Sequence, residues 1–324
     1  MTTPTRPSPQ LDLLYFKLFD DCNAKCVMCT CWQAPRTRRD PAFYHERLGA
    51  LLRLRPQSVR FTGGEPLLLP SLPDLIRQVA ATGARASVIT NGRLLSARVP
   101  ELAASGCAEV VMSLDGSAHS HDTIRATPGL FQRCVSGINA LADNGLSYGI
   151  NTVIQRGGVT DIPDLAQFLL DNPYRPDWWH MMPIRDYPAL SPTPGQLRAL
   201  RTYLPQLRQL AAAQGVRLVV DEHPVPDNAP AACIVPTFTA YATADTGEMF
   251  GCNMLAHRDV AIGRYTEDGP EELWHGSAAA ALRERCHAGA NTACIGCDNA
   301  SRTANHTLRE LGSIHNSREL EGER

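Results

Sequence analysis

Short apolar runs alternate along this chain with longer stretches whose apolar residues recur at helical spacing, the pattern of repeated β/α units around a parallel sheet. The runs Leu13–Leu18, Val59–Thr62, Ala86–Thr90, Glu109–Leu114, Ser147–Ile154 and Trp178–Met182 predict strands. Between them, Pro41–Leu54 places Phe43, Leu48, Leu51 and Leu52 on one helical face, and Leu72–Thr82 does the same with Leu72, Leu75, Ile76 and Val79. Phe131–Asn144, through Val135, Ile138 and Leu141, and the shorter Asp161–Leu170 predict further helices, and Gly195–Gly215 a long one that ends the series. The expected fold is α/β, a partial (β/α)6 TIM-like barrel whose site gathers at the carboxyl edge of the strands. Beyond Val219 the period changes: Thr237–Ala242 and Glu248–Gly251 flank Asp245-Thr-Gly247 as a β-hairpin, and Glu271–His287 reads as one helix. The chain thus divides into a flexible tail over 1–10, the barrel over 11–218, a small domain over 219–305 and a second tail over 306–324.

The chain of 324 residues is long enough to bury a full core without staples. Its net charge of −2 gives no support for a nucleic-acid partner, whose phosphates favour a basic surface. No apolar run approaches the ~20 residues of a spanning helix, so no membrane partner is expected. The polar, Pro-rich start is unlike a secretory signal, and eleven cysteines without one point to metal thiolates in a reducing cytoplasm.

Three cysteines follow the first strand as Cys22-x3-Cys26-x2-Cys29. A cubane iron–sulfur cluster held by three thiolates keeps one iron open for chemistry. Zinc with a water as fourth ligand is the alternative, although no partner knuckle lies nearby, and a disulfide fits neither the odd count nor the compartment. The strand ends carry Thr62-Gly63-Gly64-Glu65-Pro66, Thr90-Asn91-Gly92 and Ser113-Leu-Asp115-Gly116. Each string also has a plain reading, a tight turn or ordinary loop solvation. Trp178-Trp-His180, running on to Arg185, could line a substrate pocket or form a packed strand with a satisfied histidine.

The cysteine loop followed by Gly63-Gly64-Glu65-Pro66 resembles the radical S-adenosylmethionine (SAM) superfamily, with Met28 where an aromatic is frequent. The resemblance implies a [4Fe–4S] cluster on Cys22, Cys26 and Cys29, with SAM chelating the open iron and cleaved to a 5′-deoxyadenosyl radical. It implies SAM contacts from Gly63, Gly64 and Glu65 to the amino group, from Asn91, from Ser113, Asp115 and Asn151 toward the ribose, and from Arg125 to the carboxylate. It also implies an external one-electron donor such as flavodoxin or ferredoxin.

Cysteines return as Cys233-x13-Gly247-x4-Cys252 and then Cys286-x7-Cys294-x2-Cys297. Four such thiolates could hold a four-iron cluster or a structural zinc, and composition does not separate the two. The region is similar to the Twitch form of the SPASM extension, which implies an auxiliary [4Fe–4S] cluster on Cys233, Cys252, Cys294 and Cys297. Cys107 and Cys134 read as core residues and Cys31 as a bystander. Cys286 is left over, as a hydrogen-atom donor to a substrate radical, a spare ligand or an inert helix residue.

The compact layout is similar to enzymes of aminoglycoside and aminocyclitol pathways, a neomycin-type epimerase and a butirosin-type alcohol dehydrogenase among them. The expected substrate is a hydroxylated small molecule such as a sugar or aminoglycoside, epimerised with Cys286 as donor, or oxidised from secondary alcohol to ketone through the auxiliary cluster. A peptide substrate is a further alternative, set back by the short stretch before Cys22 where a leader-binding domain would stand. A non-enzymatic zinc scaffold is the reading of a different class.

Overall fold

The computed structural model describes residues 9–35, 38–221 and 232–294. Cys297, residues 1–8 and the tail over 306–324 lie outside the described residues. The chain opens with β1 (Leu13–Lys17), α1 (Pro41–Leu52), β2 (Ser58–Thr62), α2 (Leu72–Ala80), β3 (Arg85–Thr90), α3 (Leu95–Ala104) and β4 (Cys107–Ser113). It continues through α4 (Ala118–Ile124), α5 (Leu130–Asp143), β5 (Tyr148–Ile154), α6 (Ile162–Asp171), β6 (Trp178–Pro183), α7 (Pro194–Ala213) and β7 (Arg217–Val220). The last stretch holds β8 (Thr239–Thr243), β9 (Glu248–Phe250), α8 (Asn253–His257), β10 (Gly263–Arg264), α9 (Pro270–His275) and α10 (Ser277–His287).

One sheet joins these strands in the order β10-β9-β8-β1-β2-β3-β4-β5-β6-β7, and its ends do not meet, so the barrel is partial and open. β1 to β7 run parallel, each paired with the next in sequence. The six expected strands are all present, and β7 adds a seventh after the long helix. β8 then crosses to the other edge and pairs in parallel with β1, so the hairpin β8–β9 extends the same sheet. At its turn Gly247 takes φ +71, a left-handed conformation that glycine adopts without steric penalty.

Two helices arise where the periodicity did not show them. α3 holds Pro100 in its interior and α4 is polar and short, so neither carries a clean apolar stripe in sequence. The helix expected over Glu271–His287 is two, divided at Gly276. Gly276 is extended there, and a Cβ on it would stand 2.3 Å from the Glu272 carbonyl oxygen. Among the described residues no helix is long and apolar enough to cross a membrane.

The period of two along each strand sorts side chains onto two faces. Phe16, Phe61, Val88, Met112, Ile150 and Met181 lie under the helices, packed with Leu48, Leu75, Val79 and Ile138. The opposite, concave face is polar. Near its amino-terminal end Arg60 donates through Nε to Ser87 Oγ (3.0 Å) and through Nη2 to Glu109 Oε2 (3.0 Å). Trp178 Nε1 donates to Glu109 Oε1 (2.6 Å), satisfying both carboxylate oxygens in the floor of the barrel.

That floor depends on Gly149, where a Cβ would lie 2.0 Å from the Trp178 indole. Gly149→Ala is expected to displace the ring and to lower stability by about 1–3 kcal/mol. Urea denaturation of the two proteins measures the difference; equal midpoints would contradict this packing.

Candidate active site

The cysteine loop lies across the carboxyl ends of β1 to β4, held there by backbone contacts. Gly64 N donates to Phe19 O (2.7 Å) and Glu65 N to Asp21 O (2.9 Å), joining the loop to the end of β2. The approach requires glycine: a Cβ on Gly63 would stand 2.6 Å from Phe19 O, and one on Gly64 2.1 Å from Asp21 O. Val27 N donates to Ile124 O (3.0 Å), fixing the other side of the loop to the end of α4.

Glu65 is fully buried between the ends of β2 and β3. Its Oε1 accepts from Thr90 Oγ1 (2.7 Å) and Leu67 N (3.1 Å), and its Oε2 from Asn91 N (2.8 Å). Burial raises its pKa, and those bonds oppose the rise. Asn91, placed by this carboxylate, donates through Nδ2 to Asn23 Oδ1 (2.8 Å) and reaches Cys22 Sγ at 3.8 Å. Gly92 takes φ +82 above Cys134, whose buried thiol donates to Asn91 O (3.6 Å). Cys107 is likewise buried, its thiol on Glu109 O (3.3 Å).

The next strand end repeats the arrangement. Asp115 Oδ2 accepts from Arg125 Nε (2.6 Å) and Oδ1 from Val153 N (2.9 Å), while Asp115 N donates to His121 Nδ1 (3.2 Å). Arg125 Nη1 reaches Cys26 Sγ at 3.7 Å. Burial disfavours its charge, but Asp115 and Cys26 more than offset this and hold its pKa above the usual value. Cys22 and Cys26 are raised by burial, and Cys29 is lowered chiefly by a hydrogen bond from Cys31. Cys31 thus lies in contact with the third thiol, beside the loop as expected.

Ser113, Asn151 and His180 stand side by side across β4, β5 and β6 on the concave face, each partly exposed. His180 Nε2 lies 3.2 Å from Asp221 Oδ1, just past β7, where Asp221 N is held by Met181 O (2.8 Å). Sequence reading raised His180 but not Asp221, because the strand that delivers it was not legible.

Cys233, Cys252, Cys286 and Cys294 line one pocket together with Pro236, Met254, Leu255 and Ala293. Asn291 Nδ2 donates to both Cys286 Sγ (3.4 Å) and Cys294 Sγ (3.2 Å). Among the described residues no group of three or more His, Cys, Asp or Glu side chains is placed to hold a single metal ion. Cysteine thiols lining one pocket have the donor chemistry of an iron–sulfur or a zinc site.

Gly64→Ala drives a methyl group into the Asp21 carbonyl, and is expected to lower both thermal stability and the iron retained by the cysteine loop on anaerobic reconstitution. Iron analysis after gel filtration reads it. A second outcome concerns acid. Burial lowers the His121 pKa to about 4 from 6.5, so between those values the unfolded chain takes up a proton that the folded chain does not. Stability from this group is present above pH 6.5 and lost as pH falls through 4, by up to roughly 3 kcal/mol. Urea titrations across that window should show a shallower decline for His121→Asn than for the wild type.

Residues 16–169 match the family model of the radical SAM superfamily. An AdoMet-dependent heme synthase of Nitratidesulfovibrio vulgaris is 29% identical over 49% of this chain and 44% of its own length. A second, of Methanosarcina barkeri, is 26% identical over 81% of both chains. GTP 3′,8-cyclase 1 of Mycobacterium tuberculosis is 29% identical over 52% of this chain and 55% of its own. The match thus spans about half the length of two of these three relatives. In fold, the chain is similar to Streptococcus suis SuiB bound to precursor peptide SuiA, with a TM-score of 0.68 at 15% identity over 85% of this chain and 67% of that one. Residues 16–169 therefore belong to the radical SAM superfamily, and SAM with a [4Fe–4S] cluster at the cysteine loop is the cofactor pair of such a domain.

Proposed function

We propose that this radical SAM enzyme abstracts a hydrogen atom from a C–H bond of a hydroxylated small molecule bound on the concave face, and that the radical centre is then oxidised. The observation that carries this reading is the row Ser113, Asn151 and His180, with His180 paired to Asp221 at 3.2 Å. Hydroxyl and amide groups suit a polyhydroxylated ligand, and a histidine close to a carboxylate suits acceptance of a hydroxyl proton. When bound, SAM and its cluster supply the 5′-deoxyadenosyl radical, and an auxiliary cluster in the second thiol pocket supplies a one-electron acceptor. An external donor of the flavodoxin or ferredoxin class supplies the priming electron.

Epimerisation with Cys286 as hydrogen donor has less support, since this thiol is 1% exposed and faces Cys294 and Asn291. The relatives are named for heme and GTP, so an aminoglycoside or other sugar is the finer element of the proposal. A peptide substrate draws nothing from SuiB beyond the shared fold. A zinc scaffold leaves the superfamily match unexplained.

The test is anaerobic turnover of a panel of aminocyclitols and sugars in deuterated buffer. Oxidation yields a ketone with 5′-deoxyadenosine, whereas epimerisation yields an isomer carrying solvent deuterium. His180→Gln is expected to keep substrate-dependent 5′-deoxyadenosine release while slowing ketone formation by about 10²-fold or more. Replacing Cys22, Cys26 and Cys29 together by Ala should abolish both; persistence of 5′-deoxyadenosine would sink the proposal.

A further inference from the structure

The parallel ladder between β3 and β4 ends with Thr90 opposite Met112. The residues just beyond it face the cysteine loop: Asn91 reaches Cys22 Sγ at 3.8 Å, and Arg125, held by Asp115, reaches Cys26 Sγ at 3.7 Å. Two buried side chains bridge these strand ends. The Asp115 N–H donates to His121 Nδ1 (3.2 Å), so the neutral ring carries its proton on Nε2. His121 Nε2 faces Cys134 Sγ at 4.0 Å, and the Cys134 thiol donates to Asn91 O (3.6 Å). Each donor in this series meets an acceptor, from the end of β4 through α4 and α5 to the end of β3. Both side chains are 0% exposed, and burial keeps the thiol protonated, with its pKa pushed up to about 12, and the ring uncharged near neutral pH. Packing fixes their places. Phe131 meets the His121 ring edge to face, with centroids 6.2 Å apart, and Asp122 Oδ1 accepts from Phe131 N (2.8 Å), which joins α4 to the first turn of α5. Gly92 lies so close to the sulfur that a Cβ there would stand 2.6 Å from it.

We propose that His121 and Cys134 are positioning residues, whose hydrogen bonds lock the end of β3 to the end of β4 and thereby set how Asn91 and Arg125 meet two thiols of the cysteine loop. They act through those two residues. Amide donors and cationic groups beside cluster sulfurs offset the charge added on reduction, so a well-placed Asn91 and Arg125 raise the reduction potential, and such outer partners also help a site retain its metal. The reading of Cys134 as a core thiol accounts for its burial but not for the continuous series of bonds that runs through it.

The experiment uses the full chain after anaerobic reconstitution with ferrous iron and sulfide. The EPR signal of the dithionite-reduced protein that SAM perturbs reports the cluster with the open iron, separately from any other. Cys134→Ala is expected to move the midpoint potential of that signal to a more negative value and to speed its loss to an iron chelator by about 10-fold. Cys134→Ser, whose hydroxyl can accept from His121 and donate to Asn91, should stay close to the wild type in both. His121→Phe, which keeps the ring packing but has no nitrogen, should follow Cys134→Ala. His121→Asn keeps an acceptor for Asp115 N but stops short of Cys134, and it carries the same expectation should Cys134→Ala fail to fold. A wild-type potential and chelator rate in Cys134→Ala, or in His121→Asn where that variant stands in, overturn the proposal. An equal change in Cys134→Ala and Cys134→Ser, the mark of a packing site, overturns it as well.

Discussion

The buried Glu65 carboxylate is the contact on which the geometry of the cysteine loop depends. A charged group without solvent is tolerated only where hydrogen bonds replace water, and here Thr90, Asn91 and Leu67 do so. The consequence extends outward, because the same bonds fix the end of β3 and aim the Asn91 amide at Cys22 and Asn23. Beyond the end of β4, Asp115 has the matching role and holds Arg125 against Cys26. The polar residues whose spacing points to a cofactor thus also spend much of their hydrogen-bonding capacity on the loop that carries the thiols.

Two faces of one sheet separate stability from chemistry. Helices cover the face of Phe16, Phe61 and Val88, while the concave face keeps charged and polar groups and closes at its amino-terminal end with Arg60, Glu109 and Trp178. The stacked pair Tyr15 and Tyr241, 6.1 Å apart, lies on the concave side where β1 meets β8. Because β8 joins the sheet at β1, the hairpin that leads to Cys252 starts from the strand next to the one that leads to Cys22. The two thiol groups are therefore placed by neighbouring strands of a single sheet.

Much of this was legible beforehand for reasons that can be named. The six strands announce themselves by short apolar runs, and α1, α2, α5, α6 and α7 by stripes wide enough to survive single-sequence reading. α3 and α4 were not legible, since Pro100 and a polar composition blur their period. β7 was hidden because an edge strand of four residues carries too few positions for alternation to stand out.

The sequence by itself determined the β/α order, the cysteine loop and the glycines beside it, because these rest on local spacing and on residues whose chemistry has few substitutes. Only the tertiary structure decided what each polar group touches: Glu65 on Thr90 and Asn91, Asp115 on Arg125, His180 on Asp221, and Cys286 with Cys233, Cys252 and Cys294. Those partners lie on different strands and helices, and no local pattern encodes a contact that forms only when the sheet brings distant segments together.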